Sequence, residues 1–331
     1  MKAVLFDRCG PPLEVLRVAD VAMPVPRDGE ALVRMVAASV SPGDFLFVEG
    51  LYPDPKTPIL PGQIAGNHGA GIVERAPPGS SIAPGTLVAF SYYDSWAEYA
   101  AVPVEWLIPL PAGFAPEKAA QFFNLITAWD LLAAARAGEG DWIVVTAGNS
   151  TVSTMVAQFA AARGIRVIAL SRRPRADLTR LGATAVVDLG RLDGPIGAAI
   201  AALTGGEEVA ALIDNVGGPV TGDIIRAMRF GGQVVINGGM SAERFELHNF
   251  DVLLKGLEIR SHVYRYFFAP PAPADQPELA RIAEAAAGVD FQVAVGGMRP
   301  LDDWQDAVRL TIEAPEAGKQ FFAPRVIPDG S

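Results

Sequence analysis

A turn of small and hydroxylated residues, AGNSTVS, separates the apolar run Trp142 to Thr146 from the helical stretch Thr151 to Arg163, and a second apolar run, Arg166 to Leu170, follows. Strand, small-residue turn, helix and strand in that order make a pyrophosphate site. The helix N-terminus presents unpaired N–H groups and a positive dipole end, and small residues let the backbone approach a phosphate. The candidate contacts are Gly148, Asn149, Ser150, Thr151 and Val152. The glycine fingerprint of such turns is incomplete, because Thr151 and Ser153 occupy two of its glycine positions. At the end of the second run stand Ser171, Arg172 and Arg173, with Arg175 close behind, where an NAD site would carry an acidic residue for the ribose 2′-hydroxyl. Cations there suit a 2′-phosphate, so NADPH is the expected cofactor. An ordinary crossover capped by Ser150 fits the same turn. A solvated helix start also fits the arginines, less comfortably, because cations at a helix N-terminus oppose the dipole. Two later loops, Asn215 to Gly218 and Asn237 to Met240, should pass close to the dinucleotide, with Asn215, Val216, Gly217, Gly238, Gly239 and Met240 as contacts and glycine permitting the approach.

The elements that must position these residues divide the chain in two. Its 331 residues favour two domains at ~150 residues each. Half the residues are apolar and 19% are charged, too hydrophobic for a disordered chain. From residue 1 to about 120 short candidate strands alternate with Pro/Gly turns: Lys2 to Phe6, Glu14 to Val18, Ala31 to Ala38, Gly71 to Arg75, Leu87 to Phe90 and Ala97 to Val102. From about 121 apolar runs alternate with helical segments, the pattern of a parallel sheet covered on both faces. Its candidate strands are Trp142 to Thr146, Arg166 to Leu170, Ala185 to Val187, Ala210 to Asp214, Gln233 to Asn237 and Leu257 to Val263, with helices at Thr151 to Arg163, Asp177 to Leu181, Pro195 to Leu203 and Val220 to Arg229. The proline-dense Phe267 to Pro277 leaves that sheet. A helix near Glu278 to Ala287 and strands at Gln292 to Val295 and Gln320 to Phe322 then fold back onto the first unit. The expected class is α/β: a β-rich domain of residues 1–120 and 265–331, and a doubly wound Rossmann domain of residues 121–264.

Composition narrows the function classes. Lys+Arg 27 against Asp+Glu 37 leaves a net charge of −10 with no basic run, which argues against nucleic acid as a partner. No apolar stretch approaches the ~18 residues of a membrane span, so no membrane partner is expected. The short apolar run at the N-terminus is no secretory signal, and Cys9 is the single cysteine, so a cytoplasmic protein without an internal disulfide is expected. One cysteine and three histidines, His68, His248 and His262, leave no thiolate-rich zinc site.

The segments SVSPGDFLFVEGLYP, LPGQIAGNHGAGIVE, NLITAWDLL, AGNSTVS, SRRP, DNVGG, FGGQVVINGGM and GKQFFAPR, in this order, resemble the medium-chain dehydrogenase/reductase superfamily. The likeness is to its zinc-free branch of quinone oxidoreductases and mitochondrial-type trans-2-enoyl-CoA reductases. It implies a GroES-like catalytic domain beside the Rossmann domain, a cleft where nicotinamide meets substrate, and a homodimer joined through an edge strand, here Leu257 to Val263. Zinc-dependent members have cysteine in the slot of Ser41 and histidine in that of Asn67, so no metal is expected. The enoyl reductases place a catalytic tyrosine in a loop that reads EGLYPDPK in this chain, which puts Tyr52 in the slot. Their ASNSGVG turn shares Asn149 and Ser150 with this one. Asn67 and Thr127 map to positions lining the nicotinamide cleft.

By this resemblance the chain is an NADPH-dependent reductase of the C=C bond in α,β-unsaturated carbonyl compounds, 2-enoyl thioesters among them. Tyr52 is the candidate proton donor. A quinone oxidoreductase is the close alternative, needing no acid because solvent protonates the product. A non-catalytic NADPH-binding sensor is the alternative suggested by the altered turn.

Overall fold

The computed structural model describes residues 1–52, 56–175 and 177–324. Pro53, Asp54 and Pro55 of the tyrosine loop, Ala176, and residues 325–331, with Arg325 of the GKQFFAPR segment, lie outside them. Two compact units emerge, Met1–Phe123 with Tyr266–Ser331, and Asn124–Arg265.

In the first unit the strand Glu30–Val40 is the centrepiece. It pairs antiparallel with His68–Arg75 along one edge, and along the other with Tyr99–Pro103 and Lys319–Phe322. Paired on both edges and covered on both faces, it carries a nearly continuous apolar run, not a strict alternation. Gly71 permits the close pairing, since a Cβ there would lie 2.3 Å from the Arg34 carbonyl oxygen. Trp96, Phe6, Met35 and Phe322 fill the core, and the Trp96 indole N–H donates to the Ser39 carbonyl at 3.0 Å. The C-terminal segment joins the same sheet through Lys319–Phe322, with Val295–Arg299 parallel beyond it.

The second unit is, among the described residues, a six-stranded parallel sheet in the order Ala185–Asp188, Arg166–Ser171, Trp142–Val145, Val209–Asp214, Met228–Ile236, Glu258–Ser261. The strand order reverses beside Trp142–Val145, and at such a switch point the carboxyl ends of the strands splay into a crevice. All four residues of Trp142–Val145 and all six of Val209–Asp214 are buried, as central parallel strands require. The molecule is therefore of the α/β class.

Some expected elements differ. Glu14 to Val18 is not one strand: Pro12, with φ preset by its ring, starts a short helix Pro12–Val15, and the strand Arg17–Asp20 follows. Asp177 to Leu181 is a turn, too short to nucleate a helix before Gly182 takes φ +92°. The final strand is shorter than Leu257 to Val263 and mostly exposed, so the expectation of cover on both faces fails at this edge. The strand placed at Gln292 to Val295 runs instead from Val295 to Arg299, where it finds Lys319–Phe322 to pair with.

Candidate active site

In the first unit the chain leaves Glu30–Val40 at Ser41 and enters the helix Pro42–Val48, with proline at its first position. Asp44, three residues on, closes a capping box. Its Oδ2 accepts from the Ser41 N–H and hydroxyl, each at 2.7 Å, and its Oδ1 from the Asn67 N–H at 2.7 Å. Burial pushes the Asp44 carboxyl upward, and the hydrogen bonds from Ser41 and Asn67 oppose that. The Asn67 side chain donates to the Gly43 carbonyl at 3.2 Å, and the Tyr92 N–H donates to the Asn67 carbonyl. Asn67 is thus fixed from three sides.

The Tyr52 hydroxyl lies over Gly43, at 2.7 Å from where a Cβ would stand on that residue. Its ring meets Tyr92 and Phe267 at centroid distances of 6.3 and 6.0 Å. His68 closes the cluster, stacked on Phe123 at 3.4 Å and 5.1 Å from Tyr92. Burial, with Lys319 and Lys56 nearby, drives the His68 imidazole well below its usual range, so it stays neutral. Burial and the charge of Asp44 push the Tyr52 phenol up to about 12. At neutral pH it is a proton donor that holds its proton.

The structure thus brings Tyr52 and Asn67 together around Gly43. Thr127, the third expected site residue, is buried in the helix Phe122–Ala135 and belongs to the second unit. Sequence reasoning passed over Asp44 and Lys319. The spacing SPGD, a capping box opened by proline, was a readable signal for the first. Lys319 had none. It follows Gly318 at the start of a short strand, one residue before Gln320, which is in register with Val40, and burial lowers its ammonium to about 8 although Asp44 pulls it upward.

In the second unit the expected turn caps the helix Thr151–Ala161. The Ser150 Oγ accepts from the Ser153 N–H at 3.1 Å. Gly148 sits close against the second strand, where a Cβ would lie a tight 3.0 Å from Ala169 Cβ and 3.2 Å from the Leu170 carbonyl oxygen. Asn149 holds the neighbouring loop. Its amide donates to the Arg173 carbonyl at 2.7 Å and accepts from the Arg175 N–H at 3.0 Å, so its side chain shapes the arginine loop. Arg172 and Arg173 are exposed there, Ser171 is buried, and Arg175 is turned inward onto Asp177 at 2.8 Å.

Asp214, fully buried, organises the next loop: its Oδ1 accepts from Thr146 Oγ1 at 2.8 Å and from the Val216 and Gly217 N–H groups at 3.0 Å, and its Oδ2 from Thr221 at 2.7 Å. Gly217 has φ +80° and open space beside it. Gly238 packs on Asn215, whose carbonyl oxygen a Cβ would meet at 2.3 Å, while Gly239 faces open space and Met240 is exposed. A capped helix N-terminus, a glycine packed tightly on the next strand, two glycine loops and exposed arginines fit a dinucleotide phosphate. They lie at the carboxyl ends of the strands.

Zinc does not fit. Among the described residues no group of three or more His, Cys, Asp and Glu side chains could hold a metal ion, and Ser41 and Asn67 are locked into hydrogen bonds with Asp44 and Gly43. Nor, among the described residues, is any helix long and apolar enough to cross a membrane.

Comparison with known proteins agrees with this layout. Residues 27–112 match the alcohol dehydrogenase GroES-like domain and residues 151–284 the zinc-binding dehydrogenase family, together about two thirds of the chain. The chain is 29% identical to the mitochondrial enoyl-[acyl-carrier-protein] reductase of Xenopus tropicalis over 85% of its own length and 82% of the relative's. A mycobacterial protein solved in complex with NADPH is 26% identical with a TM-score of 0.80, over 98% of this chain and all of that one. A Bacillus thuringiensis protein described as an NADPH:quinone reductase shares the fold at a TM-score of 0.83 and 24% identity, over 97% of this chain and 98% of that one. With a GroES-like unit carrying the capped Ser41 turn and a Rossmann unit carrying the glycine loops, the chain belongs to the medium-chain dehydrogenase/reductase superfamily of oxidoreductases.

Proposed function

We propose that the protein is an NADPH-dependent reductase of α,β-unsaturated carbonyl compounds, 2-enoyl thioesters in particular. One observation carries this reading: the Tyr52 hydroxyl, kept protonated by burial and by Asp44, is aimed over Gly43 beside Asn67 inside an aromatic wall. Such an acid is what a C=C reduction needs and a quinone reduction does without.

The residues divide the work. In the second unit the Ser150-capped helix and Gly148 would take the pyrophosphate. Arg172 and Arg173, presented by Asn149, would take the 2′-phosphate, and Asn215 to Gly217 and Gly238 to Met240 would pass along the rest of the dinucleotide, with Thr127 near its nicotinamide end. The bound cofactor supplies a hydride. In the first unit Tyr52 would protonate the α carbon, because an enolate is a stronger base than this phenolate, and Asn67, held by Asp44 and Gly43, would orient the substrate carbonyl. Residues 1–120 with 265–331 would form the catalytic domain and 121–264 the cofactor domain. The likeness to enoyl-[acyl-carrier-protein] reductases supports a thioester substrate. The ring cluster of Tyr92, Phe267, His68 and Phe123 supports the second reading, an NADPH:quinone oxidoreductase, because it offers faces for a quinone to stack on.

The partner proposed is a second copy of the chain, met through the edge strand Glu258–Ser261. The exposed thiol of Cys9 suits the reducing cytoplasm proposed as its location. The deciding experiment follows NADPH oxidation by the purified protein with a short 2-enoyl-CoA and, in parallel, a simple quinone. Higher kcat/KM on the thioester is expected. Preference for the quinone would overturn the first reading in favour of the second.

A further inference from the structure

Ser153, at a position that the glycine fingerprint of dinucleotide turns would fill with glycine, opens a continuous hydrogen-bonded chain across the carboxyl end of the parallel sheet. Its hydroxyl donates to the Thr146 carbonyl at 2.9 Å and accepts from Asn215 Nδ2 at 3.1 Å. Asn215 Nδ2 also donates to that carbonyl at 3.1 Å, and Asn215 Oδ1 accepts from Asn237 Nδ2 at 2.7 Å. Asn237 Oδ1 faces His262 Nδ1 at 3.0 Å. On its far side His262 Nε2 lies 3.7 Å from Asp130 Oδ2, and Asp130 is ion-paired with Arg265. The chain links the loops after three strands to the segment that leaves the unit.

Its direction is forced from one end. The Thr146 carbonyl can only accept, so Asn215 Nδ2 must donate and Asn215 Oδ1 must accept. Asn237 then donates through Nδ2 and accepts through Oδ1, and His262 must donate from Nδ1. Nδ1 is thus the ring nitrogen that joins the relay, while the buried Nε2, 3.7 Å from Asp130 Oδ2, has no hydrogen-bond partner among the described residues. The charged groups facing the ring are Asp130, from the helix Phe122–Ala135, and through it Arg265, while Asn237 and the backbone of Ile236 on the other side are neutral.

We propose that Asn237 and His262 are positioning residues for NADPH: through Asn215 and Ser153 they hold the pyrophosphate turn and the loop beside it in one arrangement. This rests on the cofactor reading above. Ser153 fills the space that a glycine would leave open, and the relay fixes its hydroxyl, so the altered turn is braced.

The test is NADPH affinity of the full-length protein, followed by cofactor fluorescence. Asn237→Ala and His262→Ala should each weaken binding about three- to tenfold, the cost of one hydrogen bond in the relay. His262→Gln, whose side-chain amide can still donate to Asn237, should bind like wild type. An Asn237→Ala protein that binds NADPH as tightly as wild type would overturn the proposal, even if His262→Ala fails to fold, and so would a His262→Gln protein that binds as weakly as His262→Ala. Absence of saturable binding by wild type at any pH would overturn the cofactor reading, and the relay with it.

Discussion

The Tyr52 hydroxyl has two kinds of neighbour, an aromatic wall and the Gly43 backbone, and they make separate predictions. Removing the hydroxyl in Tyr52→Phe should lower kcat on a 2-enoyl thioester about 10²-fold or more, the usual worth of a positioned acid. Reduction of a quinone should change little. Gly43→Ala leaves the phenol in place and puts a Cβ 2.7 Å from its oxygen, so the hydroxyl must move. Gly43 has no positive φ, so the backbone is not strained. Thioester reduction in Gly43→Ala should therefore fall with Tyr52 intact and the dissociation constant for NADPH unchanged, and equal loss of both would contradict the assigned role. Lys319 makes a third residue-scale prediction. Its ammonium is lowered from 10.5 to about 8 in the folded protein, so between those values the unfolded chain binds more protons. The charged form opposes folding below about 8, and stability should rise with pH from about 8 to 10.5. Urea unfolding of wild type and Lys319→Met over that range checks this: the rise should be smaller in the variant.

At the scale of elements, cofactor preference depends on how a loop is held as much as on which residues it carries. Arg172 and Arg173 are exposed on a segment that Asn149 pins at two points, the Arg173 carbonyl and the Arg175 N–H. Asn149→Ala removes both bonds and leaves every arginine in place. The preference for NADPH over NADH should fall about tenfold, mainly through the KM for NADPH, with the worth of two hydrogen bonds. An unchanged ratio of the two kcat/KM values would show that the loop holds itself. The strand-turn-helix order and the glycine loops were legible from sequence, because they depend on apolar runs and backbone freedom, which residue types encode locally. The work of Asn149 was not, since an amide that braces one loop reads the same as an amide that binds a ligand. Neither was the relay from Ser153 to His262, whose members lie on four separate segments that meet only when the sheet forms. Pro12 decided a helix where a strand was expected, and Val295–Arg299 formed where a partner strand lay within reach.

At the scale of the whole molecule the remaining question is the outer edge of the Rossmann sheet. The strand Glu258–Ser261 pairs on one side with Met228–Ile236 and, among the described residues, with no strand on the other. Natural proteins blunt such an edge with charge, cover or a partner, since it is a ready template for pairing. Ion pairs of Glu258 with Arg136 and Arg260 put some charge there. Around it, however, Phe250, Leu253, Leu254, Ile259 and Val263 are 40 to 68% exposed, which is more apolar surface than a solvated edge would keep. An edge strand meeting its own copy across a two-fold axis pairs antiparallel and joins two six-stranded sheets into one, with the flanking apolar side chains covered on both sides. Light scattering should then give about twice the chain mass of 34.9 kDa. Ile259→Lys together with Leu253→Lys places like charges face to face across the axis and should return a particle of 34.9 kDa that still unfolds cooperatively. A monomer from the wild-type chain at working concentration would remove the dimer from the reading and leave the edge to its ion pairs.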